Sequence, residues 1–122
     1  MKSQILTGRL NWLLSFVDHA RGSCLRFIDP YGETVFNRAQ IGELRKELTE
    51  LQPRITDAAL EKSKHEYLDR LGPVTTTVKI EAIQYVESIS TADLLAHLTK
   101  VLSLVAKAES LGPHHYVRFV GD

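Results

Sequence analysis

CLRFIDPYGETVF, residues 24–36, is the stretch on which the fold turns. Leu25, Phe27 and Ile28 are strand formers, and so are Thr34, Val35 and Phe36. Between them, Asp29-Pro30-Tyr31-Gly32 suits a type I turn at every position. Asp can bond the backbone ahead of it, Pro presets φ at the second place, and Gly tolerates positive φ at the fourth. The stretch therefore predicts a β-hairpin, Cys24–Ile28 against Glu33–Phe36.

Downstream, Asn37-Arg38-Ala39-Gln40 is a capping box, with Asn37 as N-cap and Gln40 reaching back. The helix it opens carries Ile41, Leu44, Leu48 and Leu51 on one stripe. Glu43, Arg45, Lys46, Glu47 and Glu50 are assigned to water, and Pro53 ends the helix. Thr56 caps a second helix over Asp57–Leu71, with Leu60, Tyr67, Leu68 and Leu71 inward. Leu71-Gly72-Pro73 and Leu111-Gly112-Pro113 are matching stop signals, with Gly able to take the left-handed conformation and Pro forbidding continuation. Residues 74–80, VTTTVKI, alternate like a strand, yet Val78, Ala82, Tyr85, Val86 and Ile89 make a helical stripe. The preferred assignment is extended chain to Thr77 and helix from there to Ile89. Ser90-Thr91-Ala92-Asp93 then caps the strongest helix, with Leu94, Leu98, Val101, Val105 and Ala108 in line.

Upstream, Ile5, Leu6, Leu10, Leu13, Leu14 and Val17 recur at helical spacing, and Trp12 and Phe16 widen the stripe. This predicts a helix over Ser3–Arg21, weakened near Gly8 by about 1 kcal/mol and stopped at Gly22. His115–Val120 reads as a closing strand. The sum is an α+β fold over residues 1–122 as a single domain. Four or five helices pack on a small antiparallel sheet made of the hairpin plus the C-terminal strand.

Composition agrees with a folded chain. The 122 residues are 43% hydrophobic and 25% charged, with 15 basic and 15 acidic side chains. That excludes a disordered chain. Neutral balance argues against nucleic acid as a partner. The most apolar run, Leu94–Ala108, is cut by His97, Lys100 and Lys107, so no membrane span is expected. A single Cys24 and no leader-like opening make the cytoplasm the default compartment.

Motifs with chemical potential each have a plainer structural reading. CLRFID and YVRFVGD echo each other, placing Arg26 and Arg118 at matching strand positions. In the plain reading Phe27 and Phe119 fill the core while the arginines meet solvent. In the sharper one the two guanidiniums share an anion or carboxylate site. RNA-binding sheets also combine aromatic and basic residues, but alternation puts Phe and Arg on opposite faces here. His114-His115 is a poor chelate for the same reason. Glu61, His65 and Asp69 share one helix face at metal-ligand spacing, which is also the spacing of an ion-paired surface. His97 beside Asp93 and Lys100 reads the same way, and Cys24 reads as a small core residue. Asp29 and Glu33 flank the turn as potentially paired carboxylates. No phosphate loop, CxxC or HExxH is present, so no metal and no cofactor are expected.

The segments CLRFIDPYGETVFN and VRFVGD together resemble a group of short bacterial proteins carrying a strand–DPYG–strand–Asn-capped-helix signature and an aromatic-Gly-Asp tail. The resemblance covers about 20 residues and implies, by analogy with small one-domain bacterial proteins, a toxin-immunity role; it assigns no functional residue. The expectation is a non-catalytic module that binds a protein partner, a toxin domain in its concrete form. It would use Arg26, Asp29, Tyr31, Glu33, His115 and Arg118 and an exposed sheet edge. The alternative is a small enzyme or ligand-binding protein gathering Arg26, Asp29, His115 and Arg118 in one cleft.

Overall fold

The computed structural model describes residues 2–6, 10–17, 24–29, 32–112 and 116–120. The fold is α+β, as the helical and strand periodicities predict. Three strands, β1 (Lys2–Leu6), β2 (Glu33–Phe36) and β3 (Tyr116–Val120), form one sheet in the order β1-β3-β2. The helices are α1 (Leu10–Leu14), α2 (Arg38–Leu51), α3 (Asp57–Arg70), α4 (Thr76–Glu87) and α5 (Thr91–Ser110).

Helix boundaries follow their caps. Asn37 Oδ1 accepts the Ala39 N–H, and the Asn37 N–H donates to Gln40 Oε1 at 3.1 Å. Thr56 and Ser90 accept the Ala59 and Asp93 N–H groups in the same way. Thr75 does so for Val78, which starts α4 at Thr76 and resolves the ambiguous 74–80 segment in favour of helix. After α3 and α5, Gly72 and Gly112 take φ of 65° and 108°, the positive values that let each helix stop.

At the sheet, two expectations fail. The run before Gly8 is strand, not the first half of a helix. Only Leu10–Leu14 of the predicted Ser3–Arg21 span is described as α-helix, and 18–21 lie outside the described residues. A run this short cannot propagate a helix on its own. It gains instead a full parallel ladder against β3, from Lys2↔Tyr116 to Leu6↔Val120.

The second failure is the hairpin. Cys24–Ile28 is not a strand: Leu25–Phe27 is a single 3-10 turn, closed by Phe27 N–H to Cys24 O and Ile28 N–H to Leu25 O. The antiparallel partner of β2 is β3, with Val35↔Arg118 and Phe36↔Val117. With β1 on one side of β3 and β2 on the other, β3 has no free edge left. Gly32 donates its N–H to Asp29 O at 3.4 Å, while Pro30 and Tyr31, the centre of the expected turn, lie outside the described residues. A Cβ on Gly32 would stand 2.5 Å from Asp29 Oδ2, the end of an exposed side chain that would have to turn aside.

The core lies between the sheet and the α2–α5 pair. Val117, Phe119 and Phe36 point inward, the last two meeting edge-to-face at 5.7 Å. Ile41, Leu44, Leu48 and Leu51 from α2 close on Leu94, Leu98, Val101, Val105 and Ala108 from α5. Arg45 Nε pairs with Glu109 Oε2 at 3.2 Å, and Arg38 bonds the Glu109 carbonyl, clasping the end of α5 to α2. Among the described residues no single helix is long and apolar enough to cross a membrane.

Candidate functional site: the open face of the sheet

Strand alternation decides which side chains of β3 are available. Val117 and Phe119 are buried under the helices, so Tyr116, Arg118 and Val120 occupy the other face and are half-buried. On β2 the same alternation buries Phe36 and exposes Val35. The outer face therefore carries Arg118 in the middle strand, directly across from Val35.

Glu33 stands opposite Val120, which makes it the diagonal neighbour of Arg118 on the same face. Arg118 Nε lies 3.5 Å from Glu33 Oε2, with side-chain exposures of 23% and 52%. That Nε is itself buried and makes no formed hydrogen bond. The pair is held by charge alone, in a partly solvated setting where such pairs are worth about 0–1 kcal/mol. A better-placed acceptor could take over the guanidinium.

Arg26 and Asp29 are engaged elsewhere. Arg26 rides on the 3-10 turn, with its guanidinium 4.6 Å from the Phe27 ring centroid. Phe27 is 59% exposed, so the expectation that it fills the core fails, whereas Phe119 does fill it. The extended pairing that would have turned Phe27 inward is absent. Asp29 donates its N–H to Thr34 Oγ1 at 2.9 Å and so ties the turn to β2. Tyr31 and His115 lie outside the described residues. Arg118 and Glu33 are thus brought together, while Arg26 serves a different partner.

Two arrangements escape prediction from the sequence. Glu47 is buried, not solvated: its carboxylate accepts the Cys24 N–H at 3.1 Å and the Leu25 N–H at 3.1 Å. It fixes the start of the 3-10 turn, and so the place where Arg26 and Phe27 emerge. Its position three residues after Leu44 and four before Leu51 puts it inside the apolar arc, a signal the charge overrides. The second arrangement is a cluster of Trp12, Tyr67 and Tyr85, with ring centroids 5.5–6.1 Å apart. Trp12 Nε1 donates to the Tyr85 hydroxyl at 2.9 Å, joining α1 to α4. Each ring lies on the apolar side of its own helix by spacing, but their meeting is tertiary.

On α3, Lys64 Nζ reaches Glu61 Oε1 at 3.7 Å, as an ion-paired helix surface requires. No group of three His, Cys, Asp or Glu side chains is arranged to hold a metal among the described residues. No family model, no curated protein and no solved structure matches this chain.

Proposed function

We propose that this chain is a non-catalytic protein-binding module, and in its concrete form a bacterial immunity protein that neutralises a cognate toxin. The observation that carries this reading is the outer face of the sheet. Arg118 is held there only by a loose charge pair, beside exposed Val35 and on the sheet whose edge is β2. An edge strand can accept a further strand by main-chain hydrogen bonds. A partner carboxylate that bonds Arg118 bidentately would displace Glu33 and fix the register of docking. Exposed Phe27 under Arg26 offers an aromatic anchor of the kind that dominates interface energetics. The toxin-immunity form rests on the sequence resemblance of CLRFIDPYGETVFN alone, since Leu25–Phe27 is a 3-10 turn and not the first strand of that signature.

The test uses, as the candidate toxin, the product of whichever gene adjoins this chain's own. The toxin's activity should fall to background at equimolar protein. Arg118→Ala should weaken binding by about tenfold or more, the loss that follows a buried charge pair left half-made. A toxin fully active in excess of this protein excludes that partner. Unchanged affinity in both Arg118→Ala and Phe27→Ala removes the sheet face as the docking surface.

A further inference from the structure

Helix α4 has more apolar side chains than its own fold covers. Ala82 and Val86 are buried and Tyr85 packs against Trp12 and Tyr67, while on the far side of the helix Ile80 is 50% exposed. Thr76, Ile80, Ile83 and Glu87 recur four, three and four residues apart, so they form one stripe along the solvent side. Ile83 is half-buried and the other three are exposed.

The charges on this stripe say what fits it. Glu87 lies in the last turn of α4, where the backbone carbonyls are partially negative and a carboxylate is poorly placed. Lys79 lies one turn from the other end of the helix. Both are exposed, and among the described residues neither has an ion pair. We propose that α4 is the contact between two copies of this chain, packed antiparallel about a two-fold axis between Ile80 and Ile83. In that arrangement Ile80 meets Ile83 of the second copy, twice. Each Glu87 carboxylate comes to the positive N-terminal turn of the opposing α4, beside its Thr76 hydroxyl and within reach of its Lys79. A stripe that complements itself on reversal is the requirement of an isologous interface. This contact uses a different surface from the sheet face, so the two readings stand or fall separately.

Sedimentation velocity on the full chain from micromolar to millimolar concentration tests it. The wild type should pass from monomer to dimer across that range. Ile80→Glu should weaken self-association by about tenfold or more, since it places a charge at the apolar centre. Lys79→Glu should weaken it several-fold, and Lys79→Glu with Glu87→Lys together should regain most of that affinity by restoring opposite charges. Helical circular dichroism must match the wild type in each. If Ile80→Glu does not fold, the charge-reversal pair decides the matter. A wild type that stays monomeric at millimolar concentration overturns the proposal. So does a dimer that Ile80→Glu, or failing that the charge reversals, leaves unchanged.

Discussion

Helices α4 and α5 are consecutive and both rich in branched aliphatic residues, yet only α5 presents a continuous face to the core. In α5 the apolar residues Leu94, Leu98, Val101, Val105 and Ala108 keep one phase for about four turns, and all five are buried. In α4 the apolar residues are spread around the axis, and only Ala82 and Val86 are buried. Apolar content does not bury a helix; phase does, because only a continuous stripe can face one neighbour. The same contrast divides the outer face of the sheet, where side chains alternate with buried ones, from the α2–α5 seam, where they do not.

The largest effect expected from this contrast is at the centre of the α5 stripe. Leu98 is 1% exposed in the main cluster. Leu98→Ala should cost about 2–5 kcal/mol, through reduced burial and the cavity left behind. Urea unfolding followed by circular dichroism measures it. A loss below about 1 kcal/mol would mean that the stripe is not the centre of the core.

Glu47 sharpens the comparison at a polar position. Glu47→Ala removes the carboxylate that accepts the buried Cys24 and Leu25 N–H groups, at a cost of about 1–3 kcal/mol. Glu47→Gln keeps one accepting oxygen and should lose less. Amide exchange at Leu25 should accelerate in the alanine variant while exchange in α5 follows global stability. Equal losses in the two variants would contradict the role assigned to the carboxylate.

These two positions mark the limit of what is legible in the sequence. Residues 37–112 are readable because their signals are local: Asn37, Thr56 and Ser90 cap within three residues, and Gly72 and Gly112 stop by their own φ. Thr75 shifts the start of α4 by a residue or two, within the usual uncertainty of helix ends. The sheet is not readable in the same way. Ile5 and Leu6 fit a helical stripe as well as a strand, and only the distant β3 decides between them. LRFI has strand propensity, but β3 has only two edges, and β1 and β2 occupy both. Glu47, some twenty residues away, then offers the 3-10 turn its acceptor. Of the candidate site, the placement of Arg118 on a strand face follows from alternation. The pairing with Glu33 depends on a register that no short-range signal encodes.

The turn at Asp29–Gly32 is a smaller test of local chemistry. Asp29→Ala should cost about 1 kcal/mol through loss of turn bonding. Gly32→Ala should cause a smaller loss, because its Cβ would push the exposed Asp29 carboxylate aside. The two effects should not add: with Asp29 already alanine, the second substitution loses its steric partner. Thermal melts of the two single variants and the double variant give the coupling. Strict additivity would show that the glycine is required for another reason.

The smallest expected effect lies where α4 departs most from α5. Ile80 is half exposed and belongs to no buried cluster, so Ile80→Ala leaves no cavity behind. Alanine is also the better helix former, by a few tenths of a kcal/mol relative to isoleucine, which offsets the little apolar burial that the isoleucine provides. At micromolar concentration, where the α4 interface between copies is dissociated, stability should stay within about 0.5 kcal/mol of the wild type. At millimolar concentration the variant should be the less stable of the two, because binding to a second copy stabilises the folded state as its occupancy rises. Unfolding midpoints at both concentrations separate the two contributions. A large loss at low concentration would mean that Ile80 supports its own fold, and the division between a helix that builds the core and one that faces outward would fail at its clearest position.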